Sequence, residues 1–94
     1  HKSKNVLMRN YPNPFNPSTT ISVELSEPMV GTLDIYNSSG QLIKTLFSGS
    51  FNAGVNSFIW DGKDSSGNVV ASGIYFYRFK SGNFIKTSKM FFIK

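Results

Sequence analysis

The hexapeptide TISVEL, residues 20–25, alternates without a break: Ile21, Val23 and Leu25 fall on one side, Thr20, Ser22 and Glu24 on the other. Successive side chains of a strand point to opposite faces, so this pattern is a strand with one face buried. Reading outward, Pro28 and Gly31 interrupt the chain, and TLDIY (32–36) carries Leu33 and Ile35 inward. NSSG (37–40) has the Asn, Ser and Gly of a hairpin turn, and QLIKTLF reads as the next strand. A glycine-containing break, SGSFNAG, leads into VNSFIW; a long polar loop, DGKDSSGNVVASG, leads into IYFYRFK. Gly82 and Asn83 then turn the chain into FIKTSKMFFIK. That makes six strands from Thr20 onward, and NVLMR near the start supplies a seventh. No segment repeats apolar residues at helical spacing.

Short strands separated by glycine-rich turns predict an all-β chain, an immunoglobulin-like β-sandwich of about seven antiparallel strands. Residues 1–10 are expected to be the end of a linker with a candidate first strand, and residues 11–94 the sandwich. The chain starts at His1, without a signal peptide, so it reads as a domain cut from a longer protein. Ninety-four residues make a small core, and nine Phe, four Tyr and one Trp are an area-efficient way to fill it. There are no cysteines, so packing alone must hold the fold. No apolar run is long enough to span a membrane.

RNYPNPFNPST (9–19) puts Pro12, Pro14 and Pro17 just ahead of TISVEL. Each proline removes a donor and pushes the preceding residue toward extended geometry, so the stretch is neither helix nor central strand. It is expected to lie stiffly along the sandwich, anchored by Tyr11 and Phe15, and to cover an apolar patch. Such a patch is needed because the late strands are apolar on both sides. Tyr75, Tyr77 and Phe79 alternate with Ile74 and Phe76, while Phe84, Met90 and Phe92 alternate with Ile85, Phe91 and Ile93.

Chemistry finds few residues. The one histidine is residue 1, and the acids are Glu24, Glu27, Asp34, Asp61 and Asp64, with no insertion to build a cleft around them. The chain is read as non-catalytic, with no cofactor and no metal site. In WDGKDSSGN, Asp61, Asp64, Ser66 and Asn68 could offer oxygens to calcium, but the spacing is not that of an EF-hand. Asx-type capping around Gly62 and Gly67 is the plainer account. Trp60, Tyr75 and Tyr77 could stack on sugar rings, against the more economical reading that they fill the core. The formal charge is +5, and Arg78, Lys80, Lys86, Lys89 and Lys94 make the C-terminal end basic. Lysines on strand edges commonly serve solubility, and no nucleic-acid-binding pattern accompanies these.

YPNPFNPSTTI, DIYNSSGQLIKTL, AGVNSFIWDGKDSSGNVVASGIYFYRF and the closing KTSKMFFIK, taken together and in this order, resemble a C-terminal sorting domain of the type IX secretion system, type A. The portion WDGKDSSGNVVASGIYFYRF is equally similar to the immunoglobulin-like domain of flagellar hook-capping proteins. The resemblance covers residues 11–94. It implies a module that directs an upstream cargo in the same chain across the bacterial outer membrane. Its implied partners are the outer-membrane translocon and a sortase-like peptidase that removes it. The implied location is the periplasm in transit, then the cell surface or the medium. The matching positions are Pro12, Asn13 and Pro14, Gly40, Gly73 and Tyr75, and Lys86, Lys89 and Lys94. Residues 84–94 are expected to carry recognition, through strand addition or through an exposed aromatic and basic face. The alternative is an accessory immunoglobulin-like module of a secreted enzyme, binding polysaccharide or acting as a spacer.

Overall fold

The computed structural model describes residues 5–94. Seven strands follow one another: β1 (Val6–Tyr11), β2 (Thr19–Leu25), β3 (Met29–Asn37), β4 (Leu42–Phe51), β5 (Gly54–Trp60), β6 (Gly73–Ser81) and β7 (Phe84–Phe92). They pair antiparallel in two sheets, one ordered β1-β2-β5 and the other β4-β3-β6-β7. The result is the expected immunoglobulin-like sandwich, with NVLMR forming part of its first strand. Both hairpin turns read from the sequence connect β3 to β4 and β6 to β7.

Parity assigns the core. In β2, Thr19, Ile21, Val23 and Leu25 are buried; in β3, Met29, Gly31, Leu33 and Ile35; in β6, Tyr75, Tyr77 and Phe79; in β7, Met90 and Phe92. Each large apolar side chain removed from water contributes roughly 1.5–3 kcal/mol. Gly31 is the narrow point between β3 and β6. A Cβ there would lie 2.6 Å from the Lys80 carbonyl oxygen and 2.9 Å from the Phe79 ring, so only glycine lets the strands close.

Strand β4 departs from the sequence reading. SGSFNAG is not a break: β4 runs through Phe51, and the chain passes to the opposite sheet only at Asn52–Ala53. Its alternation is irregular because the β3–β4 register shifts twice, between Leu33 and Asp34 and between Ile35 and Tyr36. A bulge adds a residue to one strand and resets which side faces inward. Asn56 pins the corner that follows. Its Nδ2 donates to the carbonyls of Asn52 (2.9 Å) and Val23 (3.2 Å), and its Oδ1 accepts from the Asn52 amide (3.0 Å).

Candidate functional site

The proline segment between β1 and β2 ends up across the chain from where it starts. Because prolines have no N–H, its donors are few, and the Phe15 amide goes to the Phe91 carbonyl at 3.0 Å. The Ile93 amide donates back to the Phe15 carbonyl at 3.0 Å, and the Phe91 amide donates to Asn13 Oδ1 at 3.0 Å. Phe15 thus forms a short parallel bridge to Phe92 on the outer edge of β7. At the other end of the segment, Thr19 Oγ1 donates to the Pro12 carbonyl at 2.9 Å and accepts from Asn10 Nδ2 at 3.2 Å.

The ring of Phe15, only 1% exposed, fills the end of the core. It stacks on Phe92 at 4.9 Å between centroids and meets Trp60 edge-on at 5.5 Å; Trp60 in turn meets Tyr75 at 5.3 Å. The polar atoms of this socket are paired: Trp60 Nε1–H donates to the Lys63 carbonyl at 2.9 Å and Tyr75 O–H to the Ala71 carbonyl at 2.7 Å. Burial raises the Tyr75 phenol above its ordinary value. Gly62, with φ of 75°, lets the backbone pass the Phe92 ring where a Cβ would approach within 2.9 Å.

Two expectations about this segment are corrected. Tyr11 is not an anchor: it pairs with Thr20 on the outward side of β1 and is 79% exposed. Nor does the segment cover the outer aromatic patch. Phe15 plugs the space between the sheets, and Ile74, Ile85, Phe91 and Ile93 stay exposed. The sugar-stacking candidates are corrected too. Trp60, Tyr75 and Tyr77 are buried, so they offer no ring face to a sugar.

Of the positions taken from the resemblance, the fold gathers some and scatters others. Pro12, Asn13 and Pro14 lie in the clamp. Gly73 pairs with Phe92, and Tyr75 pairs with Met90 while lining the Phe15 socket. Lys94 is exposed beside them, its amide donating to Ser72 Oγ at 2.8 Å. Lys86 lies farther back along β7, where its Nζ donates to the Val6 carbonyl at 2.6 Å and ties the two sheets together. Lys89 faces outward, and its ammonium lies 5.7 Å from the centre of the Phe91 ring. Gly40 sits in the β3–β4 turn with φ of 83°, its amide donating to the Asn37 carbonyl. Phe15 and Phe92 complete the clamp although neither belongs to the set of matching positions.

The Asp61–Asn68 loop is built from side-chain caps. Asp61 Oδ1 accepts from the Lys63 amide at 3.2 Å, and Asp64 Oδ1 accepts from Ser66 at 2.9 Å and Asn68 at 3.0 Å. Ser65 fastens the loop to β4 through its amide, 3.1 Å from the Ile43 carbonyl. Among the described residues, no group of three or more His, Cys, Asp and Glu side chains comes together. Among the same residues, no helix is long and apolar enough to cross a membrane.

The family model of the FlgD Ig-like domain matches residues 10–85. The chain belongs to this family. Two basal-body rod modification proteins FlgD, from Salmonella typhimurium and Salmonella typhi, are each 39% identical over 59 residues, which is 62% of this chain. The chain spans about a quarter of the length of these relatives. Among solved structures, this FlgD-type Ig-like domain is similar to part of dimeric latent PorU from Porphyromonas gingivalis. The TM-score is 0.76 at 20% identity, over 99% of this chain and 10% of that one. It is also similar to part of PorZ, an essential surface component of the type IX secretion system of the same bacterium. There the TM-score is 0.63 at 20% identity, over 93% of this chain and 11% of PorZ. At such identity the two likenesses concern the fold of the FlgD-type domain.

Proposed function

We propose that this domain is a non-catalytic C-terminal sorting module, which commits an upstream cargo to export through the type IX translocon and is then removed by a sortase-like peptidase. The observation that carries the reading is the clamp. The Pro-Asn-Pro-Phe element and the C-terminal strand lie at opposite ends of the sequence, yet they form one structural unit. Asn13 and Phe15 hold β7 at Phe91 and Ile93, so the first and last parts of the resemblance are presented together. The topology adds to this support. β7 is the last strand of its sheet, and the part of its outer edge ahead of Phe91, which the clamp does not occupy, is where an extended partner can add a strand. A module that folds on its own also suits a translocon that must handle unrelated cargoes. The module acts in the periplasm, and its cargo reaches the surface or the medium.

The test is export of a fluorescent reporter fused ahead of residues 1–94 and behind a signal peptide, in strains with and without a working type IX translocon. Surface or secreted reporter only in the competent strain is the expected result. Reporter held in the periplasm of both strains, with the domain folded, overturns it. That result would favour the accessory reading, a module that binds polysaccharide or acts as a spacer.

A further inference from the structure

The outward face of the four-stranded sheet is the part of the surface that the clamp leaves unused. Register lays out its rows: Tyr36 beside Phe76 beside Lys89, Asp34 beside Arg78 beside Thr87, Thr32 beside Lys80 beside Ile85, and Ile74 beside Phe91. Apolar and cationic side chains are therefore interleaved. Arg78 occupies the middle, its guanidinium 4.3 Å from the centre of the Tyr36 ring. One N–H reaches toward Tyr36 Oη at a long 3.5 Å, and its Nε is buried without a hydrogen-bond partner. The carboxylate opposite does not use that fork. Asp34 accepts from Thr45 Oγ1 at 2.6 Å and from Tyr36 O–H at 3.4 Å.

The three-stranded sheet has a different outer face. Its outward rows are Leu7, Glu24 and Val55; Arg9, Ser22 and Ser57; and Tyr11, Thr20 and Ile59, and Arg9 lies 4.0 Å from Glu24. There the charges cancel. On the four-stranded sheet, Arg78, Lys80 and Lys89 stand against one carboxylate that is already engaged.

We propose that this face docks an acidic segment of a partner protein, with carboxylates spaced among apolar side chains. With Nε buried, a carboxylate would meet the planar guanidinium end-on at its two Nη groups, with two parallel hydrogen bonds, and Lys80 and Lys89 flank it as point charges. Ile74, Ile85 and Phe91 give the partner's apolar side chains a surface to bury. A sugar is the poorer fit: Arg78 covers the Tyr36 ring, Lys89 shares that of Phe91, and the aliphatic neighbours offer no bonds to hydroxyls. The binding surface stands whether or not the chain is an export signal.

The test is an amide NMR titration of the 94-residue domain with a synthetic peptide alternating glutamate and valine, and with its glutamine counterpart. Shifts gathered on residues 74–80 and 85–91 with the glutamate peptide, fading with added salt and absent with the glutamine peptide, are expected. The double reversal Lys80→Glu with Lys89→Glu, both at exposed positions, should weaken binding at least about tenfold while leaving the spectrum dispersed. Arg78→Lys, which keeps the charge and loses the fork, should weaken it less. Shifts elsewhere, equal binding of the glutamine peptide, or indifference to the double reversal overturns the proposal. So does tighter binding at these residues of heparin oligosaccharide or of phosphatidylglycerol vesicles.

Discussion

Two groups of aromatic rings close the sandwich toward its opposite ends, and they are assembled in different ways. One gathers Phe15, Trp60, Tyr75 and Phe92 from four separate parts of the chain. The other gathers Phe47, Phe51 and Phe58 from the consecutive strands β4 and β5, and adds Phe79 and Phe84 from the β6–β7 hairpin. The second group sits on strands that the ladders hold in any case. In the first, Phe15 belongs to no strand, and its place depends on two backbone bonds, the Asn13 side chain and the ring itself. Rings of similar size and burial should therefore differ in what their loss sets free: a void in one case, a released segment in the other.

Truncation tests this most strongly. Phe15→Ala and Phe51→Ala should each cost about 3–5 kcal/mol in denaturant unfolding, as large-to-small changes of buried aromatics do. Phe15→Ala should also expose the Phe91 and Ile93 amides to rapid hydrogen exchange, leaving β3 and β6 protected; Phe51→Ala should not. Equal protection at Phe91 in both variants would break the comparison. Gly31→Ala is next, at about 1–3 kcal/mol, because its Cβ meets backbone at the Lys80 carbonyl and has nowhere to go. Its effect should appear as a lower denaturation midpoint with exchange at Phe91 unchanged. Asn13→Ala is smaller, about 1 kcal/mol, since the Phe91 N–H can turn to water at this exposed edge. A local rise in exchange at Phe91 exceeding the global change would locate the loss in the clamp.

The smallest effect is alkaline. Burial raises the Tyr77 phenol above its ordinary 10.0, and a hydrogen bond with Ser88 pulls part of the way back. The folded state then holds its proton more firmly than the unfolded chain. Stability is fully present below pH 10.0 and falls as pH rises above that value toward the folded-state pKa. Tyr77→Phe should flatten this slope in urea midpoints measured across that range, and an unchanged slope would assign the alkaline loss to another group.

Much of the fold was legible because alternation and turn chemistry act locally. TISVEL, IYFYRFK, NSSG and the Gly82–Asn83 turn all hold in the structure, down to which residues of β2 face inward; β6, apolar on both sides, left its inward face open in the sequence. Legibility failed where parity is interrupted. Two register shifts scramble the alternation within Leu42–Phe47, and the turn-like Ser48-Gly49-Ser50 hides the end of β4 although it pairs in unbroken register with Val30–Thr32. The capping role of Asn56 has no periodic mark in the sequence. The three prolines stop the alternation, so nothing local distinguishes Tyr11, which continues the outward side of β1, from Phe15, which turns into the core. The proline element itself was visible as a motif. Its attachment to Phe91 and Ile93 was not, because the partner lies at the other end of the chain. The same holds for the cationic face: its basic residues were plain in the sequence, but Arg78 meets Tyr36 only through the β3–β6 register.

The tie between Lys86 and Val6 has a mechanical consequence. It places the start of β1 beside the early part of β7, while β7 runs on to finish at Phe92, at the sandwich's other end. A pull applied through the two terminal strands is therefore directed along them rather than across them. In an antiparallel ladder the hydrogen bonds lie perpendicular to the strands, so such a load strains all the rungs of β1–β2 and β6–β7 in shear, together. A domain loaded this way does not peel open one rung at a time; it holds until many bonds yield at once.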